Sequence, residues 1–248
     1  MKRVLALSAC LATVASAAAA TPASALERVE ATFFAEYTAG FFAIDQGEVV
    51  VFANRDPFLA HGVVSDSTMG SKPLFEAPVI RKNGTRLLRG APFLSTGSYQ
   101  FHCPVHPEMI SRLDVNASGA PLPPDSTAPT AGVRVKRVPL ARLIRRRKLI
   151  VRVNPAEISD AAINARAGGV LLGSARRTFL TTGRRKLVLK VSRRAARQLK
   201  RRARKLRARG RRALKLRARA ALVDLAGNAA TSRGGLTLRL PAPPRRRR

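Results

Sequence analysis

The chain has 248 residues and a formal net charge of +33, because 47 lysines and arginines outnumber 14 acidic residues. Of the basic residues, two lie at positions 2 and 3, eight in 26–120 and 37 in 121–248, whereas the acids divide as ten and four between the last two ranges. The positive excess therefore lies in the second half. No glycine-rich phosphate loop, paired catalytic carboxylates or serine nucleophile elbow is present, so we expect that the protein is not an enzyme.

Residues 1–25 have the pattern of a secretory signal peptide: a basic start, an alanine-rich apolar stretch and the small-residue motif Ala-Ser-Ala at 23–25. Cleavage there removes Cys10 and leaves Cys103 as the single cysteine of an exported chain, where an unpaired thiol is a liability unless it is occupied. We expect a secreted, periplasmic or cell-envelope location, with no transmembrane segment in the mature chain. The sequence LSAC at 7–10 leaves a lipoprotein signal as an alternative.

The segment GSYQFHC at 97–103 predicts a strand, because apolar and polar residues alternate along it. This alternation places Cys103 on the inner face and His102 on the outer face. Pro104 and Pro107 follow, and each fixes φ and removes a backbone donor. We therefore expect a stiff loop after the strand.

Three side chains with soft or borderline donor atoms, Cys103, His106 and Met109, follow one another at intervals of three in this loop. Thiolate, imidazole and thioether together form the ligand set that copper selects. His61 is the remaining candidate for a second imidazole, since His102 points to the opposite strand face. The sequence therefore predicts a copper site.

Other interpretations of these residues remain open. Each residue alone is more often a packing or surface residue than a ligand. Zinc is an alternative metal, although it seldom takes a thioether. A nucleophilic pair of Cys103 and His106 is a further alternative, but no orienting acid or oxyanion-forming glycine cluster accompanies it.

The segments VVFANRDPFLAHGVVSD at 50–66 and GSYQFHCPVHPEMISRLDV at 97–115 resemble the copper-binding segments of cupredoxins of the amicyanin and plastocyanin type. The resemblance covers about residues 28–116 and implies a Greek-key β-sandwich domain at 26–118. It also implies one type 1 copper ion that carries single electrons, held by four ligands: the imidazoles of His61 and His106, the thiolate of Cys103 and the long axial thioether of Met109. Two positions depart from the family. Gly62 replaces a frequent Asn, and Glu108 adds a carboxylate that would lower the reduction potential.

The stretch GAPLPPDSTAPT at 119–130 predicts a linker because it is rich in Pro, Ser and Thr. Beyond it, five segments alternate apolar and basic residues in the manner of half-buried strands. They lie at 133–138, 148–154, 186–191, 214–224 and 235–240. DSTAPT and VDLAGNAAT resemble the ends of bacterial immunoglobulin-like domains. The resemblance implies a small basic β-sandwich at 131–241, so the predicted fold class is all-β throughout.

One helix is predicted within this second domain, from a cap at Ser192 to about Arg209, with Gly210 as its stop. Its other faces are almost wholly basic, and its narrow apolar stripe consists of Ala195, Ala196, Leu199, Ala203 and Leu206. The segment 242–248, which ends in four arginines, indicates a disordered basic tail.

These features predict an exported electron carrier with an unidentified redox partner protein. The alternatives are a copper-sequestering or copper-delivery protein and a metal-free adhesion protein of the same fold. The basic half is either a solubility device or a tether to an anionic cell-wall polymer or anionic lipid. An export signal and the absence of interleaved aromatic residues argue against specific nucleic-acid recognition.

Overall fold

A computed structural model describes residues 27–33, 35–81 and 83–240. The predicted signal peptide and basic tail lie outside the described residues. The all-β prediction is confirmed: strands form most of the described chain, and two α-helices accompany them. Within these residues, neither helix combines the length and apolar composition that crossing a bilayer requires.

The described part of the first half contains eleven strands. They are β1 (Arg28–Thr32), β2 (Glu36–Tyr37), β3 (Phe42–Gln46), β4 (Val51–Asn54), β5 (His61–Ser65), β6 (Thr68–Met69), β7 (Lys72–Pro73), β8 (Glu76–Ile80), β9 (Gly84–Leu87), β10 (Gly97–Cys103) and β11 (His106–Gly119). One sheet has the order β2-β1-β4-β9 and the other β3-β11-β10-β5-β8, while β6 and β7 form a separate pair.

An aromatic core lies between these two sheets. Phe101 is fully buried, and its ring centroid lies 4.9 Å from that of Tyr37, 5.9 Å from that of Phe75 and 6.3 Å from that of Phe42. Offset and edge-on ring pairs at such distances stabilise a core beyond the area they bury. Because Phe101 and Cys103 share the inner face of β10, this packing fixes the strand that carries the thiol.

In the second half, the residues up to 240 that the structure describes form seven strands and the two helices. They are β12 (Ala131–Val135), α1 (Leu140–Arg146), β13 (Lys148–Pro155), β14 (Ser159–Ala167), β15 (Val170–Phe179), β16 (Arg185–Lys190), α2 (Arg193–Ala208), β17 (Ala213–Val223) and β18 (Ala229–Arg239). Their sheets have the orders β12-β13-β16 and β15-β14-β17-β18. A second core of mainly Ala, Val and Leu lies between them. The specific immunoglobulin-like relationship stays a prediction.

The predicted helix is α2. The Ser192 hydroxyl oxygen accepts a hydrogen bond from the Ala195 amide at 3.0 Å, and Gly210 follows the helix with φ of 69°. The shorter helix α1 has no counterpart in the sequence prediction of one helix. It ends at Arg147, which has the left-handed φ of 50° that closes a helix.

The two halves are in contact rather than joined only by residues 120–130. The Leu87 amide donates a hydrogen bond to an Asp160 carboxylate oxygen at 3.2 Å, and the Thr178 hydroxyl lies 2.9 Å from the Thr85 carbonyl oxygen. At a second place between the halves, the Gly90 amide donates to the Leu225 carbonyl oxygen at 2.8 Å. Polar contacts thus connect the domains at two places.

Candidate metal centre

The hairpin of β10 and β11 carries three of the four predicted ligands, namely Cys103, His106 and Met109. Its register places Cys103 opposite His106, with an irregularity between His102 and Cys103. Cys103 is fully buried, whereas His106 is only partly buried at the start of β11. The distance between Cys103 Sγ and His106 Nδ1 is 3.7 Å.

His61 is the first residue of β5, and β5 pairs with β10 in the same sheet. Its ring is fully buried, with Nδ1 3.9 Å from Cys103 Sγ. The other ring nitrogen, Nε2, lies 3.1 Å from an oxygen of the buried Asp56 carboxylate. A carboxylate acceptor fixes the proton on Nε2 and leaves the Nδ1 lone pair directed at the thiol. The structure therefore brings His61, Cys103 and His106 together, with donor atoms within 4.8 Å of one another.

The loop before His61 is held by Asn54, a residue that the sequence analysis missed. Its side-chain amide donates to the carbonyl oxygens of Leu59 at 3.0 Å and Ile80 at 2.8 Å, and its Oδ1 accepts from the Asp56 amide at 2.8 Å. Asn54 thus connects the last residue of β4 to the ligand loop. The pattern Asn-Arg-Asp-Pro at 54–57 is typical of such side-chain to backbone turns and contained the signal.

Asp56, which lies in the same Asn-Arg-Asp-Pro segment, was also missed. Burial alone raises the pKa of this carboxyl, but hydrogen bonds from the Leu59 and Phe58 amides and from His61 hold the pKa below its ordinary value. Asp56 is therefore ionised at neutral pH, and it supplies a negative charge behind the His61 imidazole.

Close backbone packing explains the departure at Gly62. A Cβ added there would lie 3.1 Å from the Ala77 carbonyl oxygen and 3.2 Å from the Val79 Cα, so any larger side chain crowds strand β8. The buried Tyr37 hydroxyl donates to the Gly62 carbonyl oxygen at 2.8 Å, and burial raises the Tyr37 pKa. Asn54 and Tyr37 thus hold the backbone on both sides of His61.

Three further residues that the sequence analysis named lie around the clustered donor atoms or face away from them. Met109 is buried in the same core cluster as Cys103, whereas Glu108 beside it is exposed. His102 points away from the centre, and its Nδ1 lies 2.5 Å from an Asp66 carboxylate oxygen. His102 is therefore not part of the candidate site.

The three donor atoms fit a single metal ion. An ion bound at about 2.0 Å from nitrogen and about 2.3 Å from sulfur separates these two atoms by roughly 3.5 Å at tetrahedral and 3.7 Å at trigonal angles. The observed separations of 3.7 and 3.9 Å lie close to these values and are compatible with one ion. Two imidazoles and one thiolate, with the Met109 thioether in the same core cluster, correspond to the donor set of blue-copper sites.

No protein-family profile matches the chain, and no curated protein matches it. Solved structures of amicyanin are similar to part of it. The reduced form of a tryptophan-to-tyrosine mutant is 24% identical over 38% of this chain and 86% of that chain, with a TM-score of 0.33. The oxidized form of a proline-to-alanine mutant is 25% identical over 37% and 82%, with a TM-score of 0.31. A Cu(I) form of a methionine-to-alanine mutant is 24% identical over 37% and 82%, also with a TM-score of 0.31.

Proposed function

We propose that this protein is an exported mononuclear copper protein that carries single electrons. The observation that carries the proposal is the convergence of His61 Nδ1, Cys103 Sγ and His106 Nδ1 at separations of 3.7 and 3.9 Å between sulfur and nitrogen. Copper bound by these atoms, with Met109 as a weak axial ligand, would supply a centre that changes between Cu(II) and Cu(I).

The surrounding residues support this function by restricting movement of the ligands. Asn54 and Asp56 fix the loop and the tautomer of His61, and the aromatic core around Phe101 fixes the strand of Cys103. A ligand set that keeps one geometry in two oxidation states has little to reorganise during electron transfer. Reorganisation would otherwise slow the reaction.

The exposed edge of the site is at His106. Of the three clustered ligands, His61 and Cys103 are buried and only His106 reaches solvent. Val105, directly before it, is 48% exposed, and Phe58 in the His61 loop is 77% exposed. An imidazole edge accompanied by exposed apolar side chains suits transient contact with a redox partner protein.

The test is visible absorption of the purified protein after Cu(II) addition. A thiolate bonded to Cu(II) gives an intense charge-transfer band, so the protein should be blue or green and Cys103→Ser should be colourless. His102→Ala is the matched control and should retain the band, because His102 points away from the site. A colourless protein that instead binds stoichiometric zinc would refute the copper assignment.

Retention of copper separates electron transfer from copper delivery. An electron carrier should pass through cycles of ascorbate reduction and ferricyanide oxidation with full recovery of the band. A delivery protein should lose Cu(I) to a chelator such as bicinchoninate during each reduction. Rapid loss would favour delivery, and it would leave the ligand assignment intact.

The proposal for the second domain is a tether to an anionic surface polymer or anionic lipid. Rows of like charge cross both of its sheets: Arg134, Arg152 and Lys186 face one another across β12, β13 and β16. Arg166 likewise lies opposite Arg217 across β14 and β17. Directly opposed like charges destabilise a sheet, and bound anions relieve this repulsion.

A further inference from the structure

Three of the four acidic residues in 121–248 lie together, although this half carries 37 basic residues. They are Asp125 in the segment before β12, Glu157 between β13 and β14, and Asp224 directly after β17. Each has a carboxylate oxygen within 4.8 Å of one from the other two. Like charges so close repel one another and need a positive partner.

No basic side chain supplies that partner in the part of the chain that the structure describes. The acidic members of the ion pairs there all belong to the first half, namely Glu30, Asp56, Asp66, Glu76 and Asp114. None of the three clustered acids forms an ion pair with the described residues, in spite of the excess of basic residues in this half.

Asp224 provides an independent indication of a missing ligand. Its side chain is 1% exposed, and its Oδ1 accepts a hydrogen bond from the Asn228 amide at 2.8 Å. Its Oδ2 is buried and has no hydrogen-bond partner among the described residues. A buried carboxylate oxygen without a partner is costly unless something binds it.

We propose that Asp125, Glu157 and Asp224 bind a calcium ion at the junction of the two domains. Calcium takes carboxylate and other oxygen ligands in a flexible geometry at about 2.3–2.6 Å, so two ligand atoms on one ion can lie up to roughly 5 Å apart. Magnesium, at about 2.0–2.1 Å, requires near-ideal octahedral geometry and is usually bound through only one or two carboxylates. Three carboxylates from separate parts of the chain, with oxygens within 4.8 Å of one another, therefore suit calcium better.

The position of the cluster gives the ion a structural consequence. Leu225, next to Asp224, accepts the hydrogen bond from Gly90 of the first domain, and the Asn228 side chain donates to the Asp125 carbonyl oxygen at 3.0 Å. The interdomain segment is attached to the first domain as well, since the Leu122 amide donates to the Pro92 carbonyl oxygen at 2.8 Å. Calcium here would hold this segment and the turn after β17 in one arrangement and fix the domains relative to each other.

The experiment is calorimetric titration of the metal-free full chain with CaCl2, followed by thermal unfolding with and without calcium. We expect one Ca²⁺ per chain and a higher Tm in its presence. Glu157→Gln and Asp224→Asn should each weaken binding at least tenfold. Asp160→Asn, which changes the fourth acid of this half, is the matched control and should bind as wild type does.

The metal-free variants give a second readout that ordinary structural damage would not produce. Because each substitution removes like-charge repulsion, both variants should unfold at or above the wild-type Tm in EDTA and below it in calcium. If Asp224→Asn does not fold, Glu157→Gln, at a half-buried position, tests calcium binding instead. Absence of calcium binding, unchanged binding in Glu157→Gln, or an equal response to MgCl2 would each overturn the assignment. Cys103→Ser should bind calcium normally, which separates this site from the copper site.

Discussion

The two halves of the chain differ in what they bury and in what they expose. Among the described residues, the first half buries five aromatic side chains and the second half buries one, Phe179. The five are Tyr37, Phe42, Phe52, Phe75 and Phe101. In the first half, eight basic residues at 26–120 are matched by ten acids, while 37 face four in 121–248. The first half is thus a large-residue core with a balanced surface, and the second is a small-residue core with a cationic surface.

This difference places the chemistry of each half on a different side of its sheets. The proposed copper ligands Cys103 and His61 are fully buried, so copper binding there would depend on the packing inside the first domain. In β17, basic residues such as Arg217 and Arg219 alternate with buried Leu and Ala, so the proposed anion binding would depend on the exterior of the second domain. Variants should therefore separate interior-dependent copper binding from exterior-dependent anion binding.

The largest expected effect concerns the exterior of the second half. If it binds a polyanion through six or more charge contacts, affinity for a polyphosphate or an anionic vesicle should fall about 10³-fold or more between 50 and 200 mM salt, because counterions are released on binding. Co-sedimentation with vesicles of 30% anionic lipid, and fluorescence anisotropy with labelled polyphosphate, measure this.

A charge-reversed variant tests whether the basic surface of α2 mediates this binding. Replacing the exposed α2 residues Arg197, Arg201, Arg204 and Lys205 by Glu should weaken the association and leave the copper absorption band unchanged. Binding that does not depend on salt, or a variant that binds as wild type does, would leave the charge as a solubility device.

The next largest effect concerns the interiors. Phe101→Ala should lower the free energy of unfolding by about 3–5 kcal/mol and disturb the copper band, because it removes the ring behind Cys103. Leu199→Ala removes a fully buried side chain from the inner face of α2. It should lower the free energy of unfolding by about 2–5 kcal/mol and leave the band in place. Urea titrations followed by circular dichroism and by visible absorption measure both. A changed band in Leu199→Ala would show that the interiors are coupled.

The sequence predicted most clearly what alternation and capping determine. The inward position of Cys103, the outward position of His102 and the start of α2 at Ser192 all follow from local rules, and the structure places them accordingly. The approach of His61 to Cys103 was inferred from the resemblance and from the small number of histidines. Contacts over 42 residues depend on sheet topology, which local pattern does not determine.

Strands β14 and β15 were missed because their sequences are rich in alanine and arginine rather than in β-branched residues. The pair Gly168-Gly169, both with positive φ, is the typical two-residue hairpin connection and was the available signal. Asn54 and Asp56 were missed because their roles depend on hydrogen bonds to the Ile80 backbone and to His61 that form only in the folded loop. The acidic cluster escaped notice because its members are separated by up to 99 positions and meet only in the folded domain.

A smaller effect is expected at the contact between the halves. The Thr178 hydroxyl lies 2.6 Å from an Asp160 carboxylate oxygen and 2.9 Å from the Thr85 carbonyl oxygen. Burial raises the pKa of Asp160, and the Thr178 hydrogen bond and the Arg86 charge act against that rise. Thr178→Val keeps the side-chain shape but removes the hydroxyl, so it should cost about 1–3 kcal/mol. Thermal unfolding measures this cost, with Thr178→Ser as the control that restores the hydroxyl. Equal losses in Val and Ser would assign the effect to packing instead.

The smallest expected effect compares single carboxylates from the two halves at different pH values. Hydrogen bonding from Ser98 and the charge of Arg112 lower the pKa of Asp114, whereas burial and the Asp224 and Asp125 charges raise the pKa of Glu157. A lowered folded pKa stabilises the protein above the unfolded pKa of about 3.9, and this contribution disappears as pH falls through the folded value. Asp114→Asn should therefore lower the free energy of unfolding by about 0.5 kcal/mol at pH 7 and by almost nothing near pH 2.

A raised folded pKa changes stability in the opposite direction, because its destabilising effect develops as pH rises from the unfolded pKa through the folded pKa. Glu157→Gln should consequently stabilise the calcium-free protein at pH 7 and have no effect at pH 3. Urea midpoints at these pH values measure both variants, and equal signs at pH 7 would show that the carboxylates of the two halves do not differ in this way.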